Sequence, residues 1–229
     1  MDPRKLFSDD RLRGICTYCC RTPNTRDHVP SRILLDDPLP SNTPVVESCH
    51  DCNKGFSLDE EYFAAFLECA ISGSTDPDKL SRPKIADALR HSPALASLIA
   101  SSEVKTKDGQ QIWQPDQQRV ANVVEKLARG HAAFELNVIP AGEPSIKTMP
   151  LMVMSDEQRN DFLNHQPTPF IPEIGSRAFI RACKNPVELE NDLWQSIQPD
   201  RYEYLVSQCN GTNVRLLFSN YLGCEVNWH

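Results

Sequence analysis

Two cysteine pairs with metal-ligand spacing mark the N-terminal quarter of the sequence. Cys16 and Cys19 are separated by two residues, as are Cys49 and Cys52, and 29 residues lie between the two pairs. A C-x2-C turn can direct both of its sulfurs at one ion, and two such turns complete a tetrahedral four-cysteine site. In a reducing compartment this spacing predicts a structural zinc ion. Cys20 is an alternative to Cys19, with a C-x3-C spacing.

An acid and an imidazole lie side by side between the two pairs, in residues 25–30 (TRDHVP). A zinc ion with four cysteine ligands has no open position, so any chemistry must come from groups that the cysteine frame positions. An imidazole near neutral pH is suited to activate water as a general base. Side-chain oxygens are suited to hold a divalent cation beside a phosphate. The candidate residues are Asp27, His28, Asn42, His50, Asn53 and Lys54.

These features together resemble the HNH endonucleases, the zinc-stapled branch of the ββα-metal nuclease fold. The resemblance covers about residues 15–66. It rests on both cysteine pairs, the Asp-His-Val-Pro run at 27–30, the Asn before the second pair and the Cys-Asn-Lys that closes the module. It implies a metal-dependent endonuclease that hydrolyses phosphodiester bonds, with DNA as the favoured substrate. The implied cofactors are structural Zn²⁺ and catalytic Mg²⁺ or Mn²⁺.

The resemblance also assigns roles to individual residues. His28 is expected to be the general base, Asp27 a ligand of the catalytic metal, and Asn42 the residue that steadies the loop and orients the base. Asn53 stands where the family usually has a histidine ligand, so it is expected to bind the cation through its carbonyl oxygen. His50 is the alternative second ligand.

The charge distribution limits how nucleic acid can be bound. The net charge is −7, and residues 11–56 contain six Lys/Arg and five Asp/Glu. Phosphate contacts supply most non-specific affinity for nucleic acid, and we expect Arg26, Arg32 and Lys54 to make them. Bare DNA should therefore bind weakly, unless the body carries a local basic groove or a partner protein delivers the substrate. Toxin, restriction and phage-defence roles all fit a nuclease regulated in this way.

A second hypothesis of a different class is a non-catalytic, zinc-stabilised module that binds nucleic acid or protein. Adjacent residues of an extended strand point to opposite faces. Asp27 and His28 therefore share one cleft only if the strand is kinked or the cleft wraps its end. In the binding module these two side chains merely form hydrogen bonds within the loop. The nuclease predicts cleavage that disappears in His28→Ala, whereas the module predicts binding without cleavage.

The remaining sequence predicts an α+β fold in three parts. Residues 1–14 are a polar arm, residues 15–72 are the HNH-like module with its anchoring helix, and residues 73–229 are a mixed helix-and-antiparallel-sheet body of unknown role. The anchoring helix begins after an expected N-cap at Ser57, which forms a capping box with Glu60. Its predicted buried face consists of Tyr62, Phe63, Phe66 and Leu67.

Periodicity and turn residues predict the other elements. Helices are expected at 82–91, 93–102 and 116–136, with a further capped helix after Ser155. The long helix has a predicted buried stripe of Val120, Val123, Val124, Leu127 and Ala128, and Gly130 is expected to end or break it. Strands are expected at 148–155, 177–183, 202–208, 213–219 and 222–228, with hairpin turns at Asp108–Gly109 and Asn210–Gly211.

Composition bounds the class and the compartment of the protein. The chain has 229 residues, of which 40% are hydrophobic and 24% charged, as is usual for a globular protein. A membrane-spanning helix needs about 18 or more apolar residues in a run, and the sequence has none. The N-terminus is polar and lacks the apolar segment of a secretory signal. We therefore expect a cytoplasmic protein, in which thiols stay reduced and favour zinc over disulfides.

Overall fold

The computed structural model describes residues 8–105, 111–164, 172–184, 194–208 and 211–229. The fold is α+β, as predicted, with helices and antiparallel strands. The chain divides into two compact units, one formed by Met1–Lys54 with Val124–His229 and the other by Gly55–Val123. Within the described residues, no helix is long and apolar enough to cross a membrane.

A small hairpin and a short helix surround the cysteine pairs in the first unit. Strands β1 (Thr25–His28) and β2 (Val45–Ser48) pair in antiparallel register. Helix α1 (His50–Gly55) follows directly and carries the last cysteine of the second pair. This order of strand, strand and helix is the one that the resemblance implies. A 3-10 turn at Arg32–Leu34 lies just beyond β1.

The first unit also contains a five-stranded antiparallel sheet among its described residues. The strands are β5 (Ser145–Pro150), β6 (Gln195–Gln198), β7 (Tyr202–Gln208), β8 (Thr212–Phe218) and β9 (Leu222–Trp228). Their order in the sheet is β5-β9-β8-β7-β6. Their β-rich composition predicted β7, β8 and β9 to within one residue. The turn at Asn210 lies outside the described residues.

Two predicted strands differ from the structure. The strand expected at 148–155 ends at Pro150, because Leu151–Val153 form a 3-10 turn. Residues 177–183 are not a strand and belong to helix α7 (Arg177–Lys184). The hydroxyl oxygen of Ser176 accepts a hydrogen bond from the Phe179 amide at 3.1 Å, which is an N-cap interaction. Helix α6 (Asp156–Asn164) confirms the capped helix that was predicted after Ser155. The Ser155 amide donates to Gln158 Oε1, and the Gln158 amide donates to Ser155 Oγ, so both halves of a capping box are present.

Helix α5 (Gln117–Leu136) is continuous through Gly130, which neither ends nor breaks it. All five residues of its predicted stripe are buried. In its C-terminal part, the ring of His131 stacks on Tyr204 of the sheet with centroids 3.7 Å apart. A Cβ atom on Gly130 would lie 2.7 Å from a methyl carbon of Val29. Glycine therefore lets the helix approach the residue that follows His28.

Among its described residues, the second unit groups four α-helical segments with a hairpin and a short 3-10 turn at Pro77–Lys79. It contains α2 (Ser57–Ser72), α3 (Pro83–His91), α4 (Pro93–Ala100), the strands β3 (Glu103–Lys105) and β4 (Gln111–Trp113), and the start of α5. Strands β3 and β4 pair as the predicted hairpin, although Asp108–Gly109 lies outside the described residues. The units thus divide the chain differently from the predicted domains, since α2 groups with the helices that follow it.

Helix α2 buries its predicted apolar face, but its start differs from the prediction. The Tyr62 hydroxyl accepts from the Asp116 amide at 2.7 Å, and the Phe66 ring lies edge-on to Trp113. The N-cap position is Phe56, which makes no side-chain capping bond, and Ser57 is the first helical residue. Phe56 follows α1 directly and has a right-handed helical backbone conformation, so Ser57 occupies the first helical position, where its backbone lacks the non-helical geometry of an N-cap. The expected anchoring of the module by this helix stays a prediction.

Candidate functional site

The four predicted cysteines form one cluster. The sulfur atoms of Cys16, Cys19, Cys49 and Cys52 all lie within 4.8 Å of one another. Cys19 Sγ and Cys49 Sγ are 3.6 Å apart. A tetrahedral zinc ion with Zn–S bonds of about 2.3 Å separates its sulfurs by roughly 3.8 Å, so the residues fit that ion. The cluster can therefore bind a metal such as zinc. Cys20 is exposed, and its sulfur is not in the cluster.

Backbone turns and one arginine prepare this cluster for a cation. The Cys16 amide donates to Arg21 O, and the Cys49 amide donates to Cys16 Sγ at 3.2 Å. Arg21 Nε donates to Cys19 Sγ at 3.4 Å. This hydrogen bond lowers the pKa of the Cys19 thiol to about 6, whereas burial raises the pKa of the Cys52 thiol. The thiolate is the form that ligates a metal, so the hydrogen bond from Arg21 favours Cys19 as a ligand, and a bound cation would favour the thiolate form of the buried Cys52.

Strand β1 holds Asp27 and His28 on opposite faces. The antiparallel register places Asp27 opposite Val46 and His28 opposite Val45. The Asp27 side chain is buried, whereas His28 is half-buried. The strand is therefore regular at this point, so Asp27 and His28 point to opposite faces and do not share one cleft.

The Asp27 carboxylate lies in a buried ion pair. Its Oδ2 atom is 2.7 Å from Lys126 Nζ and also accepts a hydrogen bond from the Tyr18 hydroxyl at 2.7 Å. The Lys126 side chain is 0% exposed, and its ammonium also donates to Ser31 Oγ at 3.1 Å. The surroundings of Asp27 therefore do not fit the predicted divalent cation, because an ammonium group already neutralises the carboxylate in a closed environment.

Lys126, Tyr18 and Ser31 are the site residues that sequence reasoning missed. Tyr18 lies inside the first C-x2-C turn, so the cysteine frame and Asp27 are linked through one hydroxyl. Lys126 lies on α5 outside its apolar stripe, and its neighbours in sequence give no sign that it is buried. Its role follows only from the contact with β1, which lies about a hundred residues earlier in the chain.

His28 faces the opposite side of the strand and contacts Arg32. Its Nε2 atom is 3.2 Å from Arg32 Nη2. Because a guanidinium group only donates hydrogen bonds, Nε2 is the acceptor and the neutral ring carries its proton on Nδ1. Burial is the largest influence on the pKa of His28 and lowers it, as do the charges of Arg32 and Lys126, while Asp27 acts in the opposite direction. His28 is therefore a neutral base near pH 7.

The other predicted residues surround β1 at different points. Asn53 lies against the strand and donates through Nδ2 to Arg26 O at 3.1 Å. Asn42 donates instead to Ser196 O on β6 at 3.3 Å, so it steadies its loop through a backbone group. His50 is exposed, and its amide donates to Asn24 Oδ1 at the start of α1. Lys54 is exposed near the end of α1.

A cleft of about 400 Å³ lies beside β2 within the first unit. Arg26 lines it together with Arg13 and Arg177, but so do Asp9, Asp10 and Glu47. The charges of three basic and three acidic side chains balance one another. This cleft is therefore not a local basic groove of the kind that would let the protein bind bare DNA. Strong binding of bare nucleic acid is not expected there.

No protein-family model, curated protein or solved structure matches the chain. The residues around β1 are therefore the basis for inferring function.

Proposed function

We propose that the chain is an HNH-type endonuclease that hydrolyses phosphodiester bonds, with DNA as the favoured substrate and His28 as the general base. The observation that carries this proposal is the contact between the neutral His28 imidazole and the Arg32 guanidinium beside the cysteine frame. A base and a phosphate-binding cation are thereby held together on the more exposed face of β1. These two groups supply the two main needs of phosphodiester hydrolysis.

The reaction follows from the hydrogen-bonding capacity of the two side chains. Arg32 binds two oxygens of the phosphodiester through its planar guanidinium group and so releases His28 Nε2. The Nε2 atom then takes a proton from a water molecule as the water oxygen attacks phosphorus. The bond from phosphorus to the leaving oxygen breaks, and that oxygen takes a proton from solvent. The guanidinium charge stabilises the phosphoryl oxygens throughout.

The cysteine cluster has a supporting role in this proposal. Zinc held by the four cysteines supplies folding free energy to a module that is otherwise made largely of loops. The Tyr18 hydroxyl, inside the first cysteine turn, holds Asp27 on the buried face of β1. The frame thus fixes the strand on which His28 lies. No step of the reaction uses a metal ion at Asp27.

The charge balance supports a regulated enzyme. A net charge of −7 and a cleft with equal numbers of acidic and basic groups both disfavour tight binding of free DNA. We therefore propose that a partner protein delivers the substrate or controls access to it. A role in phage defence is one setting in which such control is needed.

The second candidate function is a zinc-stabilised module that binds nucleic acid or protein without cleavage. The burial of Asp27 in an ion pair favours it, because one member of the predicted catalytic pair then serves the fold. The half-buried His28 with its Arg32 partner favours the nuclease, since a purely structural knuckle has no need of them.

The two candidates are separated by measuring binding and cleavage together. Zinc-loaded protein is incubated with supercoiled plasmid, with single-stranded DNA and with RNA, and both affinity and strand scission are followed. The nuclease predicts scission by the wild type, and retained binding without scission by His28→Ala. Arg32→Ala should lower both affinity and rate. Binding by the wild type with no scission of any substrate would establish the module instead.

A further inference from the structure

The strongest unexplained feature of the molecule is the fully buried charge of Lys126. An ammonium group with no solvent exposure is rare unless it is paired, and Lys126 has its partner in Asp27 at 2.7 Å. Ser31 Oγ accepts a second hydrogen bond, and the ammonium lies 5.7 Å from the centroid of the Tyr18 ring. The three groups form a closed setting for one positive charge.

The same surroundings do not suit a divalent ion. Magnesium and manganese need several oxygen ligands and usually keep some of their waters. Asp27 is 6% exposed, and its Oδ2 atom already receives the ammonium and the Tyr18 hydroxyl. Among the described residues, the four-cysteine group is the one cluster of three or more metal-ligating side chains. A second cation beside Asp27 would also be repelled by the first.

We infer that Lys126 supplies the cation beside Asp27, in the place where the sequence predicts a catalytic metal ion, and that Asp27 binds no metal while Lys126 is present. Lys126 is thus a positioning residue. Its charge holds Asp27 and, through the strand, the face on which His28 lies. This inference does not rest on the proposed function, because occupancy of the site by an ammonium group is independent of any cleavage.

The test is to remove the ammonium group and to look for a new metal site. Binding of Mn²⁺ to zinc-loaded protein is followed by electron paramagnetic resonance of the free ion. Lys126→Ala vacates space beside a carboxylate, so it should bind one Mn²⁺ at least tenfold more tightly than the wild type. Asp27→Asn combined with Lys126→Ala should lose that gain. Lys184→Ala, an exposed lysine at the end of α7, makes the same change of charge and should bind as the wild type does.

A purely structural role for Lys126 would not create a metal site, so a folded Lys126→Ala that binds no more Mn²⁺ than Lys184→Ala overturns the inference. A second measurement uses the wild-type protein, so its result does not depend on whether Lys126→Ala folds. Added Mn²⁺ should leave the amide resonances of Asp27 and Lys126 sharp in a nuclear magnetic resonance titration. Strong broadening of both would show that a metal already binds there and would equally overturn the inference. Neither result bears on DNA scission, which tests the proposed function separately.

Discussion

The ion pair between Asp27 and Lys126 makes a sharp prediction about stability. In Asp27→Asn the shape and the Tyr18 hydrogen bond can persist, but the buried ammonium loses its counter-charge. In Lys126→Met the carboxylate is left buried without a cation. Removal of one partner from a buried pair typically costs about 3–5 kcal/mol, whereas replacement of both by neutral groups can be close to neutral. The double variant should therefore be more stable than either single variant.

Urea unfolding of the zinc-loaded proteins, followed by circular dichroism, measures this double-mutant cycle. We expect the loss of stability in the double variant to be smaller than the sum of the two single losses by at least about 2 kcal/mol. The matched control is Asp76→Asn with Lys79→Met, an exposed pair with a separation of 3.7 Å. Its coupling should be below about 1 kcal/mol, because solvent screens it. Additive losses at Asp27 and Lys126, like those of the control, would refute the buried pair.

Three further predictions concern the elements that hold the site. Cys49→Ser should release zinc and unfold the module, whereas Cys20→Ser should keep one zinc per chain by elemental analysis; a native, reduced protein without zinc would contradict the cluster assignment. Gly130→Ala should lower stability by about 1–3 kcal/mol through overpacking against Val29, and Val29→Ala should relieve the loss; an unchanged melting temperature would show that the helix can move away. Phe66→Ala should cost roughly 3–5 kcal/mol in urea unfolding because its ring is buried, and a near-zero change would contradict that packing.

Local patterns predicted much of the framework around the site. The C-x2-C spacing identified the four sulfurs that the structure brings together, because short turns constrain each pair. The apolar stripe of α5 and the β-rich composition of β7, β8 and β9 are likewise properties of neighbouring residues. The error at residues 177–183 has a physical cause too. A seven-residue run of mixed apolar and basic residues fits either period, and the capping hydroxyl of Ser176 decides for the helix.

The surroundings of Asp27 could not be predicted in this way. Its partner Lys126 is separated from it by about a hundred residues, and no turn or period relates the two positions. The role of Gly130 is equally hard to predict from the sequence. This position requires glycine because Val29, on another element, packs closely against the helix there. A helix-breaking role was the natural expectation from sequence alone. Contacts between distant segments thus decided which of two adjacent residues, Asp27 or His28, remains available for chemistry.

If the His28 imidazole acts as a general base on nucleic acid, an imidazole added in solution should replace it in a variant that lacks the side chain. The rate of plasmid cleavage is measured for the wild type and for His28→Ala, with circular dichroism to confirm that the variant is folded. Loss of a general base should lower the rate by roughly two to four orders of magnitude. Added imidazole should then restore part of the activity of His28→Ala and leave that of the wild type unchanged. A folded His28→Ala that cuts DNA as fast as the wild type would show that His28 is not the base.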